Sequence, residues 1–189
     1  MIKKTAAIVV TYNRKELLLQ NIEALLKQTV RNQLEIVIID NASTDGTFEA
    51  IKRYVDKGEI IYINTGSNLG GAGGFQYGIR YAAEHDYEFV WVMDDDCIPR
   101  ENALEKFYEA DQILKGDYGY LSSKVLWKDG TICSMNRQRK TVVQYNNDFT
   151  SQFVPIKMAS FVSLFIPVKI VKNMGLPIKE FFIWTDDWE

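Results

Sequence analysis

Short apolar runs alternate with amphipathic stretches along the first 115 residues of the chain. Four runs are dominated by apolar residues and are too short for helices, so each is predicted to form a buried strand. The four predicted strands cover residues 5–11, 35–39, 60–63 and 87–93. After each of them apolar residues recur at helical spacing, as at Leu18, Ile22 and Leu25 after the first. This alternation is typical of a mostly parallel, doubly wound α/β sheet flanked by helices.

The alternation of strand-like and helix-like segments ends after residue 116. Three β-type runs, at residues 119–127, 142–145 and 158–166, are separated by loops, and a short helix is predicted over residues 168–174. We therefore expect a small mixed or antiparallel extension of the central sheet. The whole chain, residues 1–189, is expected to form one domain. Because it stops inside a charged motif, we also expect it to be truncated at its C-terminus.

Composition and charge narrow the function classes. The 189 residues are 47% hydrophobic and 25% charged, which is the balance of an ordinary globular domain. A net charge of -3 without a basic block argues against a nucleic-acid-binding protein. No apolar run approaches the roughly 20 residues needed to span a bilayer, and the N-terminus lacks a signal-peptide core. We expect a cytoplasmic protein; contact with the inner face of the cell membrane and homo-oligomer formation stay open.

Three consecutive carboxylates, Asp94, Asp95 and Asp96, directly follow the fourth predicted strand. In open α/β sheets the carboxyl ends of the strands form the ligand-binding edge. Neighbouring carboxylates repel one another and are costly to bury, so a divalent cation with oxygen ligands is the simplest partner for this acidic triplet. The alternative is a solvated acidic turn before the next helix.

Polar segments also follow the first two predicted strands and are expected at the same edge. Residues 11–14 end the first strand, and Asp40 ends the second. An Asp in that position can accept a hydrogen bond from a nucleobase N–H or a ribose hydroxyl; capping of the next helix is the alternative. Asn13, with Glu16 three residues later, has the pattern of a capping box at the start of the first helix.

Four glycines, at positions 70, 71, 73 and 74, lie between Asn68 and Phe75. Glycines at a helix start are entropically costly, but they leave backbone amides free and allow a ligand to approach closely. Their spacing fits neither the dinucleotide fingerprint nor a P-loop, which disfavours NAD and Walker-type ATP binding. A flexible loop is the alternative. The lone histidine, His85, precedes the fourth strand and is expected on the surface at the opposite edge.

Asp186 and Asp187 follow another aromatic run, at residues 181–184. A carboxylate in this position can act as a general base, and a solvated terminus is the alternative. No Ser or Cys lies in a nucleophile-elbow setting, so covalent hydrolase chemistry is not supported.

Five of these segments, in this order along the chain, resemble motifs of the family 2 glycosyltransferases, which have the GT-A fold. The segments are VVTYNR at 9–14, IDNASTDGT at 39–47, NLGGAGGF at 68–75, WVMDDD at 91–96 and FFIWTDDWE at 181–189. The resemblance covers nearly the whole chain. The paired glycines before Phe75 and the Trp-x-Asp-Asp pattern near the end look most like the galactofuranosyltransferase and rhamnosyltransferase branch.

The resemblance implies a role for each candidate residue. Within the acidic triplet, Asp94 would face the ribose and contribute to the metal site, and Asp96 would bind Mg²⁺ or Mn²⁺ on the diphosphate. Asp95 receives no assigned contact. Asp187 would be the catalytic base, with Asp186 as second choice. The nucleotide, usually a uridine nucleotide, would be held by Thr11, Tyr12, Arg14, Asp40, Asn68, Gly71, Gly74 and Asp94.

The implied reaction moves a sugar from a UDP-sugar, such as UDP-galactofuranose, to a saccharide or lipid-linked acceptor in cell-surface polysaccharide synthesis. One base and no second, nucleophilic carboxylate predict single displacement with inversion at the anomeric carbon. Similar enzymes usually take a further metal ligand, often a His, from beyond the point where this chain stops. The alternatives are a sugar-nucleotide-binding fragment without turnover and a dTDP-rhamnose-dependent rhamnosyltransferase. A nucleotidyltransferase is disfavoured, because no basic, glycine-rich triphosphate loop lies near the first strand.

Overall fold

The computed structural model describes residues 4–182, which form a six-stranded sheet covered by helices on both faces. The strands are β1 (Thr5–Thr11), β2 (Leu34–Asp40), β3 (Ile61–Asn64), β4 (Phe89–Asp94), β5 (Leu121–Ser122) and β6 (Leu164–Pro167). The helices are α1 (Lys15–Leu26), α2 (Thr47–Asp56), α3 (Gly70–Glu84), α4 (Ala103–Leu114) and α5 (Val168–Met174). The spatial order is β3-β2-β1-β4-β6-β5, with the first four strands parallel and the last two antiparallel to their neighbours. None of these helices is long and apolar enough to cross a membrane.

The central strand β1 is buried at all seven positions because both of its faces are apolar. Successive side chains point to opposite faces of a sheet. Ala7 and Val9 pack with residues of α1, α2 and α4, whereas Ala6 and Ile8 pack with residues of α3 and α5. Burial of one large aliphatic side chain stabilises a fold by about 1.5–3 kcal/mol. The carboxyl end of β1 therefore emerges from a firmly packed sheet at a fixed place.

The predicted α/β class, with a mostly parallel sheet and an antiparallel extension, is confirmed. The second half of the chain departs from the strand predictions. Residues 119–127 contain only the two-residue strand β5, and the strand expected over residues 158–166 is confined to β6. The strand predicted over residues 142–145 is wrong. Val142 and Val143 are 72% and 85% exposed, and a β-type sequence forms a strand only where a partner and a buried face are available.

The capping box predicted from Asn13 and Glu16 is also wrong. Asn13 adopts a left-handed backbone conformation (φ 55°), and its side-chain oxygen accepts a hydrogen bond from the Thr44 amide at 2.7 Å. The first-turn amide of α1, at Lys15, donates instead to Asp45 Oδ2 at 3.2 Å. A neighbouring loop thus supplies the cap that local spacing assigned to Asn13.

Helix α3 lies unusually close to the sheet because it carries glycines on its inner face. A Cβ at Gly78 would lie 2.1 Å from Ile8 Cγ2, and a Cβ at Gly74 would lie 2.6 Å from Val10 Cγ1. Real Cβ atoms do not approach other atoms so closely. These two glycines let the helix rest directly on β1, which fixes the start of the helix beside the carboxyl edge of the sheet.

Candidate functional site

The carboxyl ends of β1, β2 and β4 lie side by side and bring three of the predicted site residues together. Thr11 pairs with Asp40 in the β1–β2 register, and Val10 pairs with Asp94 in the β1–β4 register. This edge is the place where open α/β sheets bind ligands. The parallel pairing of three strands thus explains why segments up to 84 residues apart in the chain meet here.

The acidic triplet divides by burial. Asp95 is 3% exposed, whereas Asp94 is half-buried and Asp96 is exposed. The Asp95 carboxylate accepts a hydrogen bond from Thr11 Oγ1 at 2.7 Å and one from Arg14 Nη1 at 3.5 Å. Burial raises the pKa of Asp95, although the hydrogen bond from Thr11 and the charge of Arg14 oppose the rise. Asp95 therefore joins the ends of β1 and β4 from the inside, and its neighbours are the more accessible carboxylates.

Arg14 supplies the positive charge next to the triplet. Its Nη1 lies 3.2 Å from Asp96 Oδ2 and 3.5 Å from Asp95 Oδ1, and its side chain is 54% exposed. An exposed ion pair of this kind contributes little to stability, about 0–1 kcal/mol. A solvent-accessible guanidinium over two carboxylates can, however, exchange partners when a charged ligand arrives. Tyr12, on the same loop, is 43% exposed and presents a ring at this edge.

The donor set at the triplet suits a hard divalent cation. Carboxylate oxygens are preferred ligands of Mg²⁺, and Mg²⁺ commonly takes one or two of them with the rest from phosphate and water. Asp94 and Asp96 provide two such groups. Among residues 4–182, no cluster of three or more His, Cys, Asp or Glu side chains could hold a metal ion by itself. The two carboxylates therefore fit a cation that a bound diphosphate helps to coordinate.

His85 lies at the opposite edge of the sheet, as the sequence predicts. It is exposed at the end of α3, and its ring stacks on Tyr81 with 4.0 Å between centroids. Its Nδ1 lies 2.7 Å from the Tyr81 carbonyl oxygen. These local contacts account for His85 without a role at the acidic triplet.

Asp40 is 1% exposed, and both of its carboxylate oxygens have partners. Oδ2 accepts from the Tyr62 hydroxyl at 2.7 Å, and Oδ1 accepts from the Ser43 amide at 2.8 Å. Burial, followed by the hydrogen bond to Asp40, raises the pKa of Tyr62 to about 12. The hydroxyl thus stays protonated and holds the Asp40 carboxylate in one orientation.

Tyr62 is a site residue that the sequence reasoning missed. It lies on β3, whose Asn64 pairs with Asp40, and Asn64 Nδ2 donates to the Tyr62 hydroxyl at 3.2 Å. The ring of Phe48 lies 4.9 Å from the ring of Tyr62 and is 39% exposed. The sequence shows only that Tyr62 lies near the end of a predicted strand; that this strand is the neighbour of Asp40 is known from the fold alone. Tyr62 and Phe48 together form an aromatic wall beside that carboxylate.

The loops after β1 and β2 are tied together at the rim of the site. The Asn13 amide donates to Ser43 Oγ at 2.8 Å, and the Asn13 side chain accepts from the Thr44 amide. Asn13 and Ala42 both have left-handed backbones, with φ of 55° and 63°. Such conformations persist where surrounding contacts fix them, and they cluster at functional sites. The rim is therefore held in a defined shape.

The glycine cluster forms the first turns of α3. Asn68, which is exposed, lies just before the helix, and its Oδ1 accepts a hydrogen bond from the Gly70 amide at 2.9 Å. Asn41 Nδ2 donates to the Gly70 carbonyl at 2.9 Å and ties this turn to the end of β2. The close approaches at Gly70 and Gly74 are to the protein itself, namely the Phe182 backbone and Val10. Packing of the chain thus accounts for these two glycines, and Gly71 is half-buried between them.

The predicted catalytic residues Asp186 and Asp187 lie outside the described residues. The chain reaches this edge at Phe182, whose carbonyl oxygen accepts a hydrogen bond from the Ala72 amide at 3.1 Å.

Comparison with known proteins adds independent information. Residues 6–147 match the family model "Glycosyl transferase family 2". Galactofuranosyltransferase GlfT1 from Mycobacterium tuberculosis is 34% identical over 99 residues, which are 51% of this chain and 31% of GlfT1. The crystal structure of TarS 1-349 from S. aureus in complex with UDP gives a TM-score of 0.70 at 20% identity, over 98% of this chain and 53% of that chain. Mannosyltransferase PcManGT from Pyrobaculum calidifontis, in complex with GDP-Man and Mn²⁺, gives a TM-score of 0.70 at 19% identity, over 100% of this chain and 50% of that chain.

The similar solved structures support a conclusion about the fold, and the family model supports a conclusion about the family. At such low identity, the two solved structures establish that this chain has the GT-A type of fold. The chain spans about a third of the length of the curated relatives it matches. The family model covers well over half of the chain and includes the ends of β1, β2 and β4 together with the glycine cluster. The chain therefore belongs to glycosyltransferase family 2.

Proposed function

We propose that this chain forms the nucleotide-sugar-binding domain of a metal-dependent, inverting glycosyltransferase that acts in cell-surface glycan synthesis. The observation that carries the proposal is the convergence of Thr11, Asp40 and the acidic triplet at the carboxyl edge of one parallel sheet. The names of relatives such as galactofuranosyltransferase GlfT1 support the reaction class. We extend the domain to the whole chain, residues 1–189.

The nucleoside part of the donor lies, in this proposal, across the ends of β1 and β2. Asp40 offers carboxylate lone pairs to a base N–H or a ribose hydroxyl, and Tyr62 keeps that carboxylate oriented. Tyr12 supplies an exposed ring at the rim, and Thr11 and Arg14 hold the neighbouring acidic loop. The TarS complex with UDP makes a uridine nucleotide the first candidate.

The diphosphate part lies beside the acidic triplet and the first turn of α3. Asp94 would contact the ribose and, with Asp96, would hold Mg²⁺ or Mn²⁺, while Asn68 and Gly71 shape the opposite wall; Gly74, predicted from the sequence for this wall, packs against Val10 instead. Held by these two carboxylates, a divalent cation would neutralise the charge that develops on the leaving diphosphate. The Mn²⁺ in the PcManGT complex supports this choice of ion. Arg14, which pairs with Asp96, would supply a further positive charge beside the phosphate oxygens.

The acceptor hydroxyl needs a base, and we assign this role to Asp187, with Asp186 as the alternative. A positioned carboxylate removes the proton as the oxygen attacks the anomeric carbon, so the oxygen–carbon bond forms while the bond to diphosphate breaks. One displacement inverts the anomeric configuration. UDP-galactofuranose is the preferred donor, because the paired glycines and the likeness to GlfT1 point to that branch, and the acceptor is a saccharide or a lipid-linked saccharide.

The test is transfer from a panel of UDP-sugars and dTDP-rhamnose to saccharide and lipid-linked acceptors, with Mn²⁺. Loss of a general base lowers kcat by about 10²–10⁴-fold. We expect this loss for Asp187→Ala, with unchanged affinity for UDP. Asp56→Ala, which removes an exposed carboxylate of α2, is the matched control and should keep full activity. Full activity of Asp187→Ala would show that the base is elsewhere.

A second candidate is a sugar-nucleotide-binding module without turnover. The observation in its favour is that the chain spans only about a third of the length of its curated relatives. Binding of UDP with Mn²⁺, without transfer or donor hydrolysis under any of these conditions, would select this candidate.

A further inference from the structure

Residues 176–182, which we call the strap, run along α3 towards the glycine cluster and are attached to it at both ends. At one end, Gln76 Nε2 donates to the Pro177 carbonyl at 2.8 Å. At the other end, the Ala72 amide donates to the Phe182 carbonyl at 3.1 Å. The Ala72 amide lies in the first turn of α3, where amides have no partner within the helix. The strap thus satisfies a backbone group that the helix itself leaves open.

The last residue of the strap occupies the space that a side chain at position 70 would need. A Cβ built on Gly70 would lie 2.1 Å from the Phe182 carbonyl oxygen and 2.7 Å from its carbonyl carbon. These are backbone atoms, so no rotamer change could relieve the overlap. Gly70 also has a left-handed backbone, with φ of 72°. Phe182 itself has φ of 60°, so two unusual backbone conformations meet at this contact.

We propose that Gly70 is a positioning residue that seats the strap against the first turn of α3 and so fixes the point from which the following chain continues. This inference rests on the proposed function, since the segment after the strap carries Asp186 and Asp187. An extended chain spans at most about 3.3–3.6 Å per residue, so five residues cover no more than about 18 Å. A base at Asp187 therefore depends on where Phe182 is held. The seat fixes that point beside Asn68 and Asn41, at the wall of the proposed diphosphate site.

Two glycine substitutions distinguish the contact between Gly70 and Phe182 from the general cost of replacing a glycine that has a left-handed backbone. Gly70→Ala combines a left-handed alanine with a collision against Phe182. Gly58→Ala provides the matched control, because Gly58 also has a left-handed backbone (φ 66°), but a Cβ at this position would have no other atom within 4 Å. Both variants lose the same conformational freedom, and only the first displaces the strap.

Amide hydrogen exchange of the intact protein tests whether Gly70 holds the strap in place, and it does not depend on catalysis. Loss of about 1.4 kcal/mol of local stability corresponds to tenfold faster exchange. We expect at least about this acceleration at the Ala72 amide and in residues 176–182 for Gly70→Ala, and none for Gly58→Ala. Wild-type exchange in Gly70→Ala would overturn the proposal. If Gly70→Ala does not fold, Gln76→Ala removes the other attachment without backbone strain. The Ala72 amide should then exchange at the wild-type rate, because the contact at Gly70 remains, and tenfold faster exchange there would overturn the proposal.

The positioning role is tested by comparing kcat with the affinity for UDP. A displacement of about 1 Å at a reacting group can cost on the order of 100-fold in rate. We expect Gly70→Ala to lower kcat by about this factor while the Kd for UDP changes far less, because Thr11, Asp40 and the triplet are not moved. Equal losses in kcat and affinity, or an unchanged kcat, would contradict positioning. If the wild-type protein shows no turnover, the proposed function fails. The hydrogen-exchange experiment then still tests whether Gly70 holds the strap in place.

Discussion

The acidic residues at the carboxyl edge of the sheet differ in burial, and burial determines which of them a ligand or cation can reach. Asp95 faces inward to Thr11 and is almost inaccessible, whereas Asp96 is exposed and pairs with Arg14. Asp40 is as buried as Asp95, but it is held by Tyr62 from the next strand. Fixed partners hold the carboxylates of Asp40 and Asp95 in one orientation, whereas the accessible carboxylate of Asp96 can exchange partners.

Tyr62→Phe tests whether the orientation of Asp40 matters for the nucleoside. The variant keeps the aromatic wall but removes the hydrogen bond to Asp40, and a hydrogen bond to a charged group contributes about 1.5–3 kcal/mol. We expect weaker binding of uridine and of UDP by the same factor, because the nucleoside is common to both. Calorimetric titration of both ligands measures the two factors.

Tyr108→Phe is the matched control, since the Tyr108 hydroxyl is hydrogen-bonded to Thr5 at the other end of β1. It should lower stability and leave both affinities unchanged. Unaltered binding of uridine by Tyr62→Phe would show that Asp40 does not depend on its tyrosine partner.

At the scale of elements, one carboxylate organises the starts of two helices. Asp45 Oδ1 accepts from the Thr47 amide at 3.1 Å, at the start of α2, and Asp45 Oδ2 accepts from the Lys15 amide, at the start of α1. Partial burial acts to raise the pKa of Asp45, but the hydrogen bonds from Thr47 and Lys15 outweigh it and the pKa is lowered. The two loops that frame the site are therefore coupled through Asp45.

Asp45→Ala should lower the free energy of unfolding by about 1–2 kcal/mol, as loss of a helix cap does. Because the pKa of Asp45 is lowered in the folded state, its stabilisation is present above the ordinary carboxyl pKa of about 3.9 and is lost as pH falls through the folded value. The difference between wild type and variant should therefore shrink below about pH 4. Urea unfolding between neutral and acidic pH measures it, with the exposed Asp117→Ala as a charge control. A difference that does not change with pH would contradict the role of the charged form.

Gly78→Ala tests the close packing of α3 on the sheet. The new methyl group would overlap Ile8 and press on Ile39, both in buried strands, so the helix must lift away. Overpacking of this kind costs about 1–3 kcal/mol, against a gain of up to about 1 kcal/mol from helix propensity. Chemical denaturation should show a net loss for Gly78→Ala and none for Gly119→Ala, which has nothing within 4 Å. A stabilised Gly78→Ala would mean that the helix is not held by this contact.

The elements of the first half of the chain could be predicted because the spacing of hydrophobic residues there matches the positions that the fold buries. Each strand consists mainly of apolar residues, and each following helix has one apolar face, so the spacing of hydrophobic residues identifies both. The second half could not be predicted in the same way. Residues 123–163 are held by isolated bridges such as Leu126–Ile132 and by side-chain hydrogen bonds such as Gln138 to the Ser123 carbonyl, and neither produces a period in the sequence.

The site could be predicted in part for a related reason. The residues at strand ends, such as Thr11, Asp40 and the triplet, are brought together by parallel pairing, which the sequence pattern implies. Tyr62 and the contact between Gly70 and Phe182 depend on the lateral position of β3 and on the path of the strap. Those depend on tertiary packing, and no spacing in the sequence encodes them. The capping box failed for the same reason, because the better partner of Asn13 lies in another loop.

For the whole molecule, the strand order brings the polar residues of the candidate site together where neighbouring strands end. The order β3-β2-β1-β4 aligns Asn64, Asp40, Thr11 and Asp94 along one edge, while His85 and α5 belong to other parts of the surface. The strap adds a connection from the far end of the described chain back to this edge. We therefore propose that this edge binds a nucleoside diphosphate together with a divalent cation.

Titration of UDP into the protein, with and without Mn²⁺, measures this binding. We expect UDP to bind more tightly with Mn²⁺, by about tenfold or more, as coupling free energies of about 1–3 kcal/mol imply. Asp96→Ala should lose the Mn²⁺-dependent gain and keep the metal-free affinity, whereas Asp56→Ala should behave as the wild type does. Equal affinity for UDP with and without Mn²⁺ in the wild-type protein, or no binding of UDP at all, would contradict the account.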